Sequence, residues 1–297
     1  MLSILIPIYN FDVSDLVQEL YLQCERVGKP YEILLFDDAS TKRFDFTFLK
    51  NKDFNHKIFY LYLAENQGRS KIRNQLSDAA KYDLLLFLDC DSKVVKQDFV
   101  KQYMDVAQTG LVVCGGRVYN RLQPNSDTFY LHWLYGQARE VKDADARQAD
   151  PYYGFQSNNF LITKELFNNS LFDERLTQYG HEDTLFGAEL NAKHISMLHI
   201  DNPIEHLGLE TNHVFIQKTI QSIENLYFLY KNNTPIHSRL LSTFVTLKKY
   251  RLTVFYALYY KFNKASWEAN LLSANPDLSK LDKLKLGELV RLYRTEG

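Results

Sequence analysis

Short runs of Ile, Leu and Val alternate with helical patterns through the first hundred residues. This alternation limits the fold more than any single motif does. Leu2 to Ile8, Tyr31 to Phe36, Lys57 to Leu63 and Asp83 to Leu88 read as strands, with helices predicted over Ser14 to Val27 and Ser70 to Lys81. The apolar runs are nearly continuous instead of alternating with polar residues, as strands buried on both faces require. The expected class is therefore α/β, a mostly parallel sheet flanked by helices. In such sheets ligands sit beyond the carboxyl ends of the strands.

Four junctions lie at that edge: Pro7-Ile8-Tyr9-Asn10, Asp37-Asp38-Ala39-Ser40, Glu65-Asn66-Gln67-Gly68-Arg69 and Asp89-Cys90-Asp91. Polar and acidic residues recur at each, so one edge of the sheet is the expected site. Further along the pattern loosens. Gly110 to Tyr119 reads as one more strand, Lys142 to Asn159 as a loop, Phe160 to Thr163 as a strand, and Lys164 to Asn168 and Glu182 to Asn191 as helices. From about Phe215 the chain reads as helical.

Charge adds a second division. The whole chain carries 35 Lys and Arg against 36 Asp and Glu, which excludes bulk attraction to nucleic acid. Residues 231–297 nevertheless hold 12 basic against 5 acidic side chains, leaving 23 against 31 before them. The opening MLSILIPIYN lacks the basic start and small-residue cleavage pattern of a signal peptide, and no apolar run is long enough to span a bilayer. Three cysteines without metal-ligand spacing suit reduced thiols, and a cytosolic catalytic site is expected.

Asp89 and Asp91 follow five apolar residues, so both carboxylates emerge where a buried strand meets solvent. Such a pair can engage Mg²⁺ or Mn²⁺, which take oxygen ligands and complete their shell with substrate phosphates, or a ribose hydroxyl. An Asp-x-Asp alone is weak: Asp143-Ala144-Asp145 has the same pattern in an expected loop. Asp37 and Asp38 could accept hydrogen bonds from a nucleobase or ribose, or simply make an Asx turn and cap. Gly68, with Arg69 and Arg73 at a helix start, suits phosphate or an ordinary turn. Glu182 and Asp183 open an apolar helical pattern, where a carboxylate is either a helix-dipole partner or a general base. His206 is a candidate metal ligand or a structural histidine. The absence of G-x-G-x-x-G after the first strand and of G-x-x-x-x-G-K-[ST] argues against dinucleotide dehydrogenases and P-loop hydrolases.

The ordered set of blocks resembles the family 2 glycosyltransferases of the GT-A fold. Ser3 to Asn10 looks like their opening strand, and Glu32 to Thr41 is similar to their nucleotide-binding strand with paired Asp. Asn66-x-Gly68-x-x-x-x-Arg73-Asn74 and Leu86 to Ser92 follow in order, and Ser157 to Ile162 with Phe172-Asp173-Glu174 resemble the acceptor-side block before Gly180-His181-Glu182-Asp183. The resemblance implies an inverting transfer from a nucleotide-diphosphate sugar, most often a UDP-sugar, to a glycan or lipid-linked acceptor, as in polysaccharide assembly for a bacterial cell envelope. It implies a catalytic domain over 1–214, with a nucleotide-sugar half near 1–95 and an acceptor half near 96–214, followed by a basic helical region over 215–297. Pro7, Tyr9, Asp37, Asp38, Asn66, Gly68, Arg73, Asp89 and Cys90 would line the donor site. Asp91 and His206 would hold Mn²⁺ or Mg²⁺, Asp183 would be the base assisted by Glu182, and Trp133, Asn158 and His181 would face the acceptor.

Three residues depart from the family pattern: Ala39 stands where glycine is usual and Ile72 where alanine is, both read as packing changes, and His181 replaces the frequent glycine before Glu182, which alters the acceptor pocket. A sugar nucleotidyltransferase, or a binding or scaffold subunit of a polysaccharide-assembly complex, remains the competing reading. The basic, aromatic-rich tail leaves peripheral membrane contact, packing within the chain and oligomerisation open.

Overall fold

A computed structural model describes residues 1–296 apart from 43, 45–53, 55, 177 and 178. Strand β1 (Leu2–Ile8), helix α1 (Ser14–Val27), β2 (Tyr31–Asp37), β3 (Ile58–Tyr62), α2 (Arg69–Ala79) and β4 (Leu84–Leu88) occur in the expected order. Helix α1 illustrates why the ends are legible. It buries Leu16, Val17, Leu20 and Cys24 along one face and stops at Gly28, whose φ of 67° suits glycine.

The span 110–119, expected as one strand, is two: β6 (Leu111–Cys114) and β7 (Arg117–Val118), after β5 (Ser92–Val94) and α3 (Phe99–Val106). The break falls at Gly115-Gly116. A Cβ on Gly115 would lie 2.3 Å from the Asn202 carbonyl oxygen and 2.4 Å from the Asn159 amide nitrogen, so only glycine lets these backbones meet. The span 142–159, expected as a loop, contains α5 (Ala144–Gln148), whose start is capped by the Asp143 carboxylate accepting from Ala146 N at 2.7 Å. That is the structural use of the second Asp-x-Asp. The chain continues through α4 (Tyr130–Tyr135, ahead of α5), β8 (Asn159–Thr163), α6 (Lys164–Asn168), α7 (Glu182–Ala192), β9 (Ser196–His199) and β10 (Ile204–His206).

Seven strands form one sheet in the order β3-β2-β1-β4-β8-β6-β9. The first four are mutually parallel, β8 is antiparallel to both its neighbours, and β6 pairs parallel with β9. Successive residues of each central strand feed opposite cores. Ile4, Ile6, Ile33, Leu35, Leu86 and Leu88 pack with α1 and α3, whereas Leu5, Leu34, Leu85 and Phe87 pack with α2, α6 and α7. The second core is rich in phenylalanine: Phe87 stacks on Phe160 at 4.8 Å and Phe172 on Phe186 at 4.3 Å. Phe186 sits on α7 and thereby fixes the helix that begins with Glu182 and Asp183. A small sheet, β5-β10-β7, lies in register so that His206 is opposite Ser92 and Ile204 opposite Arg117.

Two compact units result, one of residues 1–120, 140–177 and 182–208, the other of 121–139, 178–181 and 209–297. The first contains both sheets. The second contains α4 and the helices α8 (Asn212–Lys231), α9 (Arg239–Lys249), α10 (Thr253–Leu271) and α11 (Leu278–Glu296), so it takes in more than the tail that charge alone set apart. Its cores are Leu131, Phe215, Tyr260, Trp267 and Leu281 in one cluster and Leu226, Phe244 and Leu289 in another. Buried Glu288 is satisfied by the Tyr260 hydroxyl, by Lys264 at 3.0 Å and by Arg291 at 2.5 Å. Among the described residues no helix is long and apolar enough to cross a membrane.

Candidate active site

The carboxyl ends of β1, β2 and β4 open on one edge of the first unit, and hydrogen bonds tie the ends of β1 and β2 together. Asp38 N donates to Ile8 O at 2.8 Å, and the Asn10 carboxamide oxygen accepts from Thr41 N and Lys42 N at 2.9 Å each. The Asp37 carboxylate accepts from Ser40 N and from the Tyr60 hydroxyl, both at 2.8 Å. The Asp38 carboxylate accepts from Gln67 N at 2.5 Å and Gly68 N at 3.0 Å, and its carbonyl accepts from the Asn66 amide at 2.9 Å. Thus Asp38 ties strand β2 to the loop that opens α2. Burial raises its carboxyl above the ordinary value, against those two amides. Both acids keep lone pairs for a further donor, since a carboxylate offers about four.

Ala39, which follows Asp38, has φ 58°, and His181 has φ 69°. Both departures from the usual glycine therefore fall at left-handed positions, where a Cβ is disfavoured. Ala39→Gly is expected to stabilise the chain by about 1 kcal/mol, the left-handed penalty less the extra entropy glycine loses on folding. A higher urea midpoint with unchanged slope checks this; an unchanged or lower midpoint refutes it.

Asp89 and Asp91 sit at the end of β4. Arg73 Nη2 donates to Asp89 Oδ1 at 2.6 Å, and Arg117 Nη2 lies 3.7 Å from Asp89 Oδ2. Arg117 in turn bonds Glu140 at 2.8 Å, as does the Tyr119 hydroxyl at 2.5 Å. His206 Nδ1 lies 3.4 Å from Asp91 Oδ1, with the Tyr119 ring edge-on to the imidazole at 5.1 Å. Burial works to raise the Asp91 carboxyl, but His206, then Arg117 and Arg69, hold it well below the ordinary value. The small sheet explains the convergence: β10 delivers His206 and β7 delivers Arg117 to the Asp-x-Asp. Cys90, between the acids, takes the Tyr9 backbone amide, and burial with Asp91 beside it pushes the thiol up to about 12.

Glu182 and Asp183 begin α7 in the same unit. Arg69 Nη1 donates to Glu182 Oε1 at 3.2 Å. Burial would raise Glu182, yet Arg69 and Arg73 keep it below its ordinary value. Asp183, bonded to Thr184 N at 2.7 Å, is pushed up to about 6 by burial and by anionic Glu182. Adjacent carboxylates whose affinities for a proton are driven apart are a recurring acid-base arrangement. Arg69 and Arg117 act on both this pair and Asp91, so the two acidic motifs share one field.

The structure brings most of the expected residues to this edge. Pro7 lies on β1, opposite Phe36, and Tyr9 stands exposed just past its end. Asn158 is 2% exposed, and its carbonyl accepts from Asp89 N at 3.1 Å. Both ends of its side-chain amide are buried without a hydrogen bond, a cost that a bound polar group would remove. Trp133, stacked on Tyr130 at 5.5 Å, and His181 belong to the second unit. Arg117, Tyr119 and Glu140 escaped sequence reasoning: a two-residue strand has no readable period, and an arginine in it carries no motif. Arg69 was visible only as a phosphate candidate, not as the partner of Glu182.

Mg²⁺ or Mn²⁺ fits the residues present. Asp91 Oδ1 is buried without a hydrogen bond and faces His206. A Cβ on Gly208 would come within 2.3 Å of Asp91 Oδ2, so the loop leaves room around that carboxylate that only glycine preserves. Five carboxylates (Asp89, Asp91, Glu140, Glu182 and Asp183) face three guanidiniums (Arg69, Arg73 and Arg117). Among the described residues no three His, Cys, Asp or Glu side chains form a closed metal set. Two protein ligands with the rest supplied by substrate is how Mg²⁺ is commonly held.

Residues 3–171 match the family described as glycosyl transferase family 2. Among solved structures, the chain resembles the crystal structure of S. aureus TarS 1-349 with a TM-score of 0.49 and 17% identity, over 100% of this chain and 92% of that one. No curated protein sequence matches the chain at a significant level.

Proposed function

The chain belongs to glycosyl transferase family 2 and is a glycosyltransferase, and from that premise we propose that it moves a sugar from a UDP-sugar to a hydroxyl of a glycan or lipid-linked acceptor, with inversion. The observation that carries this reading is the shared field of the two acidic motifs: Arg69 pairs with Glu182, Arg117 lies 3.7 Å from Asp89, and both guanidiniums act through their charge on Asp91 and Asp183. One motif suits the donor diphosphate and the other the acceptor.

In this reading the acceptor hydroxyl gives its proton to Asp183 as its oxygen bonds to the anomeric carbon. The bond from that carbon to the diphosphate breaks, and UDP leaves. A carboxyl near 6 is mostly ionised at neutral pH yet basic enough to accept a proton in the transition state. Glu182, held anionic by Arg69, raises that basicity and orients hydroxyls. Asp37, Asp38 and the loop from Asn66 to Gly68 form the nucleoside end, and Arg73 fixes Asp89 toward the ribose. Asp91 and His206 would hold Mn²⁺ or Mg²⁺, which when bound supplies Lewis-acid stabilisation of the departing diphosphate. Three free thiols, Cys24, Cys90 and Cys114, suit work in a reducing compartment.

Calorimetric titration of UDP tests the donor assignment. Saturable binding with Mn²⁺ that disappears in EDTA is the expected result. Binding of GDP or CDP but not UDP would overturn the donor, and equal binding with and without metal would overturn the metal.

A further inference from the structure

The face of α10 that turns away from its own core is apolar. Thr253, Tyr260, Trp267 and Leu271 are buried along one side of the helix, and Phe255, Leu258 and Phe262 occupy the opposite side at helical spacing. Phe255 is 69% and Phe262 81% exposed, which places two phenyl rings in water with no charged neighbour on their stripe. The corner before the helix continues the patch through exposed Tyr250 and Leu252. Exposed large apolar side chains grouped in this way mark a surface that binds something.

Charge identifies the partner. From Lys231 to Trp267 the sequence contains seven Lys and Arg and no Asp or Glu. Lys249 and Arg251, which flank Tyr250 in the corner, and Lys261, which precedes Phe262, are exposed. A second copy of this chain is a poor occupant, because a two-fold pairing of the stripe would set the two basic rims against each other. An anionic bilayer surface matches both features. Its headgroups attract the rim, and its acyl boundary accepts the rings. We infer that the α9–α10 corner and the outer face of α10 dock on anionic lipid, with Phe255, Leu258 and Phe262 inserted and Lys249, Arg251 and Lys261 at the headgroups. This is independent of the glycosyl donor and acceptor.

Flotation of the full-length protein with phosphatidylcholine vesicles, with and without phosphatidylglycerol, tests the inference. The protein should float with the anionic vesicles at low salt, stay behind with the neutral ones, and dissociate as salt rises. Phe255→Glu/Phe262→Glu should lower partitioning by about 100-fold, near tenfold for each ring kept from the acyl boundary. Lys249→Glu/Arg251→Glu/Lys261→Glu should lower it by at least about 100-fold, near fivefold or more for each cation removed. Thermal unfolding of both variants should match the parent, because all five side chains are exposed. A parent that fails to float with anionic vesicles overturns the inference, as does flotation that neither variant reduces. A parent found dimeric by light scattering, and split by Phe262→Glu, would make this face a self-interface instead.

Discussion

Asp183→Asn is expected to lower the rate of sugar transfer by about 10²–10⁴-fold while leaving metal-dependent UDP binding intact. The substitution keeps size and most hydrogen bonding and removes only the ability to take a proton. Asp183 is pushed up to about 6 by burial and by Glu182, against the amide of Thr184, Arg117 and Arg69. A base works in its ionised form, so transfer by the parent should rise with pH through about 6 and level off above it. The variant should lose that rise along with its rate. Replacing Glu182 by Gln removes the neighbouring anion, so the rise should move to lower pH. Measuring transfer across pH in the three proteins, with UDP binding measured in parallel, separates base from scaffold. Near-parental transfer by Asp183→Asn, or an unmoved rise in Glu182→Gln, would end the assignment.

The strands and helices up to β4 were legible because their signal is local. Apolar runs of strand length, a glycine stop at Gly28 and the polar strand ends all lie within a few residues of the feature they define. The same locality places Asp37, Asp38, Asp89 and Asp91 at one edge from the sequence alone. What sequence reasoning lost was long-range. The split at Gly115-Gly116 depends on Asn202 and Asn159, far along the chain, approaching a backbone that has no Cβ. Arg117 reaches Asp89 only because β7 pairs with β10, and no periodicity records that pairing. Ala39 read as a packing change, whereas the backbone there is left-handed; a residue name does not disclose its φ. The helical tail was legible in kind, but its inclusion of residues 121–139 in one unit rests on tertiary contacts such as Leu131 with Phe215.

Gly208→Ala is expected to weaken metal-dependent UDP binding by about 10–100-fold, the cost typical of disturbing the support of a metal ligand. It adds one methyl group and removes no polar atom. Its Cβ would lie 2.3 Å from Asp91 Oδ2 and 2.9 Å from the Asp91 Cβ. The loops cannot simply separate, because Leu207 N donates to Asp91 O at 2.8 Å and His206 is paired opposite Ser92. The Asp91 carboxylate must therefore turn from its place beside His206. Asp91→Asn, which leaves the loop alone and removes the charge, should cost more than Gly208→Ala, and about 100-fold or more, because it strikes the ligand itself. If the methyl group acts only through Asp91, the double substitution should bind no worse than Asp91→Asn alone, since two changes to one interaction do not add. Additive losses would show that Gly208 serves the site by another route, and unchanged affinity in Asp91→Asn would remove Asp91 from the metal.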